Sequence, residues 1–456
     1  MSRAIMGRPW RILAAFAVLL LASPGVNGGV AVRTVKRIGP PVQRPARSLR
    51  FEGPSVRRRG PRYSADRVLV RFRPEITAAY AEGLLLSYGF PSVRRIPAIG
   101  VYSVRTAPGV SVVETLAMLR RNGDIEAARP DYRARIADVP NDTYFQRYQY
   151  SLQNRGGTLD LGGGLTFAMT AGADIKAVAA WDSAKGAADV VIAVLDTGVD
   201  MMHPDLAAKI VSSGYDFAND DDDAVDDHWH GTLVAGIAAA STGNGAGIAG
   251  VAWNCRILPV KVVDENGDGY YSWIIDGIIW ATDQGADVIN LSLGGEVPDP
   301  FLEDACQYAQ DHGVVIAAAS GNDAGGVLYP AAYDDTVLAA AASDYNDAIA
   351  SFSNFGPEVD VAAPGVWILG PVPLSYVGAG QLPYVFGTGT SAAAPQVAGL
   401  AAIIRSAKPG LTAEEIMMII RYTADDINRA TLPGRDDHAG YGRINMQRAL
   451  VPYILD

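Results

Sequence analysis

The sequence predicts an α/β fold of three layers, a mainly parallel central sheet between helices, preceded by a small α+β domain. Two observations predict it. Short apolar runs without polar alternation recur between helical segments beyond about residue 140, as strands buried on both faces require. The charge also changes sign near residue 138. Residues 1–138 hold 24 Lys and Arg against 9 Asp and Glu, a net +15, whereas residues 139–456 hold 14 against 40, a net −26. A block change of this kind marks a domain boundary.

Residues 1–28 read as a secretory leader. Arg3, Arg8 and Arg11 precede the apolar run Ile12 to Ala22, followed by Ser23-Pro24-Gly25. That run is shorter than the roughly 18 residues a bilayer span needs, so export is expected and a stable membrane anchor is not. Residues 29–62 are rich in Arg, Pro and Gly, with Arg57-Arg58-Arg59-Gly60-Pro61, and read as a disordered basic linker. Residues 63–138 form the small domain. Arg67 to Phe72 and Gly100 to Arg105 alternate like strands, Ala78 to Tyr88 and Val110 to Arg121 carry helical spacing, and Asp124 to Ile136 is extended. The order expected is strand, helix, strand, helix, strand, in a ferredoxin-like α+β arrangement.

Residues 139–456 carry the large domain. Val190 to Leu195, Ile257 to Val263, Val288 to Leu293, Val314 to Ala319 and Val337 to Ala342 are the expected parallel strands. Thr412-Ala413-Glu414-Glu415 is a capping box opening a helix to Tyr422. Hydrophobic residues make up 49% and charged residues 19% of the 456, which excludes a disordered chain. Cys255 and Cys306 are the only cysteines and lie in apolar contexts, so buried free thiols are expected. An acidic body disfavours nucleic acid as a partner and favours bound cations.

Three segments stand where strands end or helices begin, the place where α/β sheets gather their chemistry. Asp196 closes a strand in Asp196-Thr197-Gly198. His230 opens a helix in His230-Gly231-Thr232-Leu233-Val234-Ala235-Gly236. Ser391 opens another in Gly389-Thr390-Ser391-Ala392-Ala393-Ala394-Pro395. A serine hydroxyl attacks a carbonyl only when a base takes its proton, and the base needs a carboxylate to fix its tautomer. Each piece alone also reads as ordinary structure: a strand-end turn, a helix cap, an N-cap serine. The order Asp, His, Ser with these flanks is one of the known triad arrangements.

With those motifs the chain resembles the subtilisin family of serine proteases, from about Pro140 to the C-terminus. The resemblance implies Asp196 as the group that orients and supports the imidazole, His230 as general base and then acid, and Ser391 as nucleophile. It implies Asn322, in Ala319-Ser320-Gly321-Asn322, as an oxyanion donor beside the backbone N–H of Ser391. Ser292-Leu293-Gly294 and Gly267-Asp268-Gly269 resemble the two edges that hold an extended peptide as an added strand. Gly294, Ala319 and Gly321 resemble an open P1 pocket suited to apolar or aromatic residues, and Tyr271 a wall of the P4 pocket. Leu233 and Gln396 stand where His is common in the family, and Ala392 where Met is common. None of the three supplies chemistry.

The resemblance extends to structural Ca²⁺. Asp216, Asn219, Asp221 and Asp223 resemble one calcium loop. Asp142, Asp205 and Asn244, with carbonyls near Ser241, Ala246 and Ile248, resemble a second, and oxygen donors of this kind suit the ion. A zinc site on His228-Trp229-His230 is disfavoured, since no Cys cluster accompanies it. The small domain resembles the family's propeptide, a folding chaperone and intramolecular inhibitor. The net +15 of residues 1–138 against the −26 of the body favours association, and cleavage is expected between Arg133 and Asp142. The expectation is a monomeric, exported endopeptidase acting on proteins or peptides and made as a self-processing zymogen. Three readings compete. A catalytically silent peptide-binding relative would have lost a triad or oxyanion residue. An aspartic protease built on Asp196 would need a second Asp-Thr/Ser-Gly. An α/β-hydrolase esterase would place Ser before Asp and His.

Overall fold

The structure is a computed structural model that describes residues 63–132, 139–162, 164–378 and 380–450, and the backbone of 20–22. The expected leader (apart from that short piece), the basic linker and residues 133–138 of the expected cleavage segment lie outside the described residues. The chain divides into two compact units, residues 54–136 and residues 137–456 with 1–53.

The smaller unit is an antiparallel sheet in the order Ser92–Ile96, Val101–Arg105, Tyr63–Phe72, Ile125–Tyr132, with helices Ala78–Ser87 and Val112–Leu119. Alternation on Tyr63–Phe72 sends Val68, Val70 and Phe72 into a core with Leu85, Val104 and Leu119. Strand Ser92–Ile96 corrects the expected order, which becomes the split βαββαβ arrangement. The sequence hides it because Arg94 and Arg95 interrupt its apolar pattern and proline stands on both flanks, at Pro91 and Pro97.

The larger unit is built on seven strands, all paired in parallel. They run across the sheet as Val361–Pro364, Val337–Ser343, Val315–Ala319, Val288–Leu291, Val191–Asp196, Arg256–Lys261 and Tyr215–Asp216. Successive residues of a strand point to opposite faces, and the two cores follow that rule. Ile192, Val194, Ala317 and Leu338 join one, with helices His230–Ala239 and Thr390–Ala407. Ala193, Leu195, Ile316 and Ala339 join the other, with helices Tyr271–Asp283 and Pro300–Asp311. Continuous apolar runs therefore mark strands with no exposed face, and the three-layer expectation is met. The capping box at Thr412 is present and opens helix Ala413–Thr423. Cys255 and Cys306 are both buried and unpaired. The chain leaves Val191–Asp196 toward one edge of the sheet and later returns to its other side. The order thus reverses at this strand, and a crevice opens at its carboxyl end.

Candidate active site

Asp196 is the last residue of the strand Val191–Asp196, and His230 is the first residue of its helix. Gly231 makes their approach possible. A Cβ there would stand 2.1 Å from the Gly198 carbonyl oxygen and 3.1 Å from the Asp196 Cβ, so the helix start lies backbone against backbone on the strand end. Gly198, at φ +103°, supplies the left-handed turn after the strand.

His230 Nδ1 donates to Asp196 Oδ1 at 2.7 Å, and both side chains are fully buried. The Thr197 N–H donates to the same oxygen at 2.8 Å. This contact fixes the tautomer that leaves Nε2 as the basic nitrogen. Burial alone would depress the imidazole. The charge and hydrogen bond of Asp196, joined by the charge of Asp226, outweigh it and hold His230 above its ordinary 6.5. His228, two residues earlier, is pushed down by burial and by His230.

Ser391 is the second residue of the helix Thr390–Ala407 and is 3% exposed. Its N-cap is Gly389, so Ser391 is not a capping serine. The Ser391 hydroxyl donates to the Ser292 carbonyl at 3.1 Å. Asn322 is held from the same helix end. Its Oδ1 accepts the Thr390 N–H at 2.8 Å and the Thr390 hydroxyl at 3.0 Å. With the oxygen committed there, Nδ2 faces the other way. Asn354 braces the loop. Its Oδ1 accepts the N–H groups of Asp323 and Gly325, and its Nδ2 donates to the Gly326 carbonyl.

The residues expected to form the peptide edges lie as follows. Ser292, Leu293 and Gly294 follow the strand Val288–Leu291 directly. Gly267 and Gly269 lie in a turn held by Asp264, whose Oδ1 accepts the N–H groups of Asn266 and Asp268. Tyr271 opens the helix Tyr271–Asp283, and its hydroxyl donates to the Val297 carbonyl at 2.7 Å. Gly294 and Gly321 each pack closely against a neighbouring loop. A Cβ at Gly294 would meet the Leu328 Cβ at 2.9 Å, and one at Gly321 would meet the Asn354 amide nitrogen at 2.2 Å. Their smallness serves close loop packing. Ala319 ends its strand at 4% exposure.

Three residues outside the expected set hold the Asp–His pair. The Thr197 hydroxyl donates to Asp226 Oδ1 at 2.8 Å and accepts the Gly231 N–H at 2.9 Å. Asp226 Oδ1 also accepts the N–H groups of His228 and Trp229, and its Oδ2 takes the N–H and hydroxyl of Thr232. This carboxylate secures the turn in which Trp229 adopts φ +105° before the helix starts. The threonines in Asp-Thr-Gly and His-Gly-Thr were legible signals. Asp226 had none beyond its place four residues before His230.

The two expected calcium sets differ. Asp142 and Asp205 are 4% and 0% exposed and make no salt bridge among the described residues. Both meet the loop 241–248: Asp142 accepts the Gly243 N–H, and Asp205 accepts the Ile248 N–H and the Asn244 amide. Burial raises the Asp142 carboxyl, and the Asp205 charge adds to the effect. Two buried carboxylates without a cationic partner among the described residues, beside the Asn244 amide and the Tyr384 hydroxyl, fit a hard divalent cation. The other set does not assemble. Among the described residues no group of three or more His, Cys, Asp or Glu gathers to hold a metal, so Asp216, Asp221 and Asp223 form no cage. Asp216 is spent within its own turn, on the N–H groups of Ala218 and Asn219 and on the Asn219 amide.

The aspartic-protease reading fails on this geometry, because Asp196 faces a histidine at the end of a parallel strand. Comparisons with known proteins bear on the rest. The profile of the Subtilase family matches residues 187–442, and that of the Fervidolysin N-terminal prodomain matches residues 52–131. A thermophilic serine proteinase of Bacillus sp. (strain AK1) is 40% identical over 389 residues, 85% of this chain and 88% of that one. Thermitase of Thermoactinomyces vulgaris is 42% identical over 314 residues, 68% of this chain and 99% of that one. A solved structure described as proteases from Pseudoalteromonas arctica PAMC 21717 superposes with a TM-score of 0.59 at 33% identity. It covers 69% of this chain and 99% of its own.

Proposed function

From the premise that this chain belongs to the subtilase family of serine-type endopeptidases and carries a prodomain of the fervidolysin kind, we propose that Ser391, His230 and Asp196 form its catalytic triad. The observation that carries the reading is the buried 2.7 Å contact from His230 Nδ1 to Asp196 Oδ1.

The Ser391 oxygen attacks the scissile carbonyl carbon while His230 Nε2 takes its proton. Asp196 keeps Nδ1 protonated and stabilises the imidazolium. The tetrahedral oxyanion accepts from Asn322 Nδ2 and from the Ser391 N–H at the positive end of its helix. His230 then protonates the leaving nitrogen as the C–N bond breaks. Water, deprotonated by His230, attacks the acyl-enzyme and releases the acid, and the proton returns to Ser391. The substrate lies extended between Ser292–Gly294 and Gly267–Gly269, with an apolar or aromatic P1 side chain beside Ala319 and P4 against Tyr271. Asp142, Asp205 and Asn244 would hold Ca²⁺, which supplies charge balance to the loop 241–248. No chemical step uses it.

The prodomain associates with the acidic body as inhibitor until the chain cuts itself between residues 133 and 142. The leader directs export, and the mature enzyme acts as a monomer. No helix among the described residues is long and apolar enough to cross a membrane.

Ser391→Ala tests the proposal. The variant should fold, remain the full-length precursor and hydrolyse no casein. Mature-size protein appearing from purified Ser391→Ala would overturn self-processing, and casein hydrolysis by it would overturn the nucleophile.

A further inference from the structure

Pro395 stands inside the Ser391 helix, four residues after the nucleophile. Proline has no N–H to donate to the carbonyl four residues earlier, and its ring crowds that carbonyl. Here the carbonyl is that of Ser391 itself, in a stretch where every residue from Thr390 to Ile404 is buried. A carbonyl left unpaired at such a site is strongly disfavoured.

Ser292 supplies the missing donor from another element, its hydroxyl donating to the Ser391 carbonyl at 3.0 Å. That hydroxyl is itself oriented. Asn290, fully buried on the strand Val288–Leu291, donates its Nδ2 to Ser292 Oγ at 2.9 Å. With a lone pair of Oγ occupied, the Ser292 proton is directed to Ser391. The Ser391 hydroxyl in turn donates to the Ser292 carbonyl at 3.1 Å. Two hydrogen bonds of opposite sense therefore lock the strand end to the helix start, at the residue whose oxygen reacts.

We propose that the Ser292 side chain is a positioning residue for the nucleophile: its hydroxyl, aimed by Asn290, replaces the helical hydrogen bond that Pro395 abolishes and fixes the backbone rotation of Ser391. Ser292 is thus more than a backbone edge for substrate. The proposal rests on the reading of Ser391 as nucleophile. It also explains a proline inside a helix whose first turn must hold a reacting atom to a fraction of an ångström.

A double-mutant cycle on the mature enzyme tests it, with kcat and KM measured on a chromogenic peptide and kcat expressed per site titrated by a serine-directed phosphonate. Ser292→Ala should lower kcat between about 10- and 100-fold, the scale of a small misplacement of a reacting group. KM should stay within about twofold, because the backbone edge remains. Ser292→Thr, which keeps the hydroxyl, should recover most of the loss. Pro395→Ala restores an N–H for the Ser391 carbonyl, so in that background Ser292→Ala should cost less than about threefold further. Should Ser292→Ala not fold, Ser292→Cys, a weak donor of similar size, carries the same comparison with and without Pro395→Ala. A kcat unchanged by losing the hydroxyl, or a loss equally large in both backgrounds, overturns the proposal. Wild-type enzyme that hydrolyses the peptide yet does not titrate with the phosphonate would instead overturn the reading of Ser391.

Discussion

At the residue scale, the buried contact between Asp196 and His230 has a consequence in pH. In the proposed triad His230 must be neutral to accept the Ser391 proton, and the Asp196 charge outweighs burial to hold its imidazole above 6.5. The acid limb of kcat/KM should therefore rise with pH and reach half its height above 6.5; a midpoint at or below that value would contradict the assigned pair. Asp196→Asn withdraws the charge and permits the wrong tautomer. It should lower kcat by about 10⁴, the size of the corresponding loss in a serine protease triad of another fold. Asn322→Ala should lower kcat by about 10² to 10³ with KM little changed, the size known for the oxyanion asparagine of subtilisin. Rate assays on the purified variants check both, and a loss confined to KM would reassign Asn322 to substrate binding.

At the element scale, chemistry sits where strands stop and helices start, and the sequence announced those places well. The strand ending at Asp196 and the helices opening at His230 and Ser391 were legible because uninterrupted apolar runs, small residues and glycines mark such junctions. Less local features were not. Asp226 reaches the site only through its five hydrogen bonds, and an acidic residue in an acidic stretch carries no sign of burial. The acidic run Asp220–Asp223 misled in the opposite sense, since charge density in sequence does not require the carboxylates to converge. The close packing of Gly294 against Leu328 and of Gly321 against Asn354 had no local sign either. Substitution at the junctions should be costly. Gly231→Ala would drive a methyl into the Gly198 carbonyl, and thermal melts should show a loss of several kcal/mol, consistent with overpacking against backbone. Thr412→Ala removes only a cap of the helix Ala413–Thr423 and should cost about 1 kcal/mol, with activity at low temperature intact.

At the scale of the whole molecule, residues 1–138 carry a net +15 and the remainder a net −26. Inhibition of the mature enzyme by separately added residues 29–138, which hold 21 Lys and Arg against 9 Asp and Glu, should weaken as salt rises, because exposed charges are screened within about 8 Å at physiological ionic strength. Calcium, where proposed, would act on the same acidic body. A cation at Asp142 and Asp205 in hundredfold excess over its Kd would stabilise the fold by about 2.7 kcal/mol. Chelation should therefore lower Tm by several degrees, and Asp205→Asn should abolish the difference. An equal Tm with and without chelator at low salt would remove calcium from the account. Labelling the active serine tests the central claim most directly. Mature enzyme inactivated by a peptidyl phosphonate, then digested and analysed by mass spectrometry, should carry one adduct, on Ser391. An adduct on another residue, or inactivation with Ser391 unmodified, would contradict the assignment.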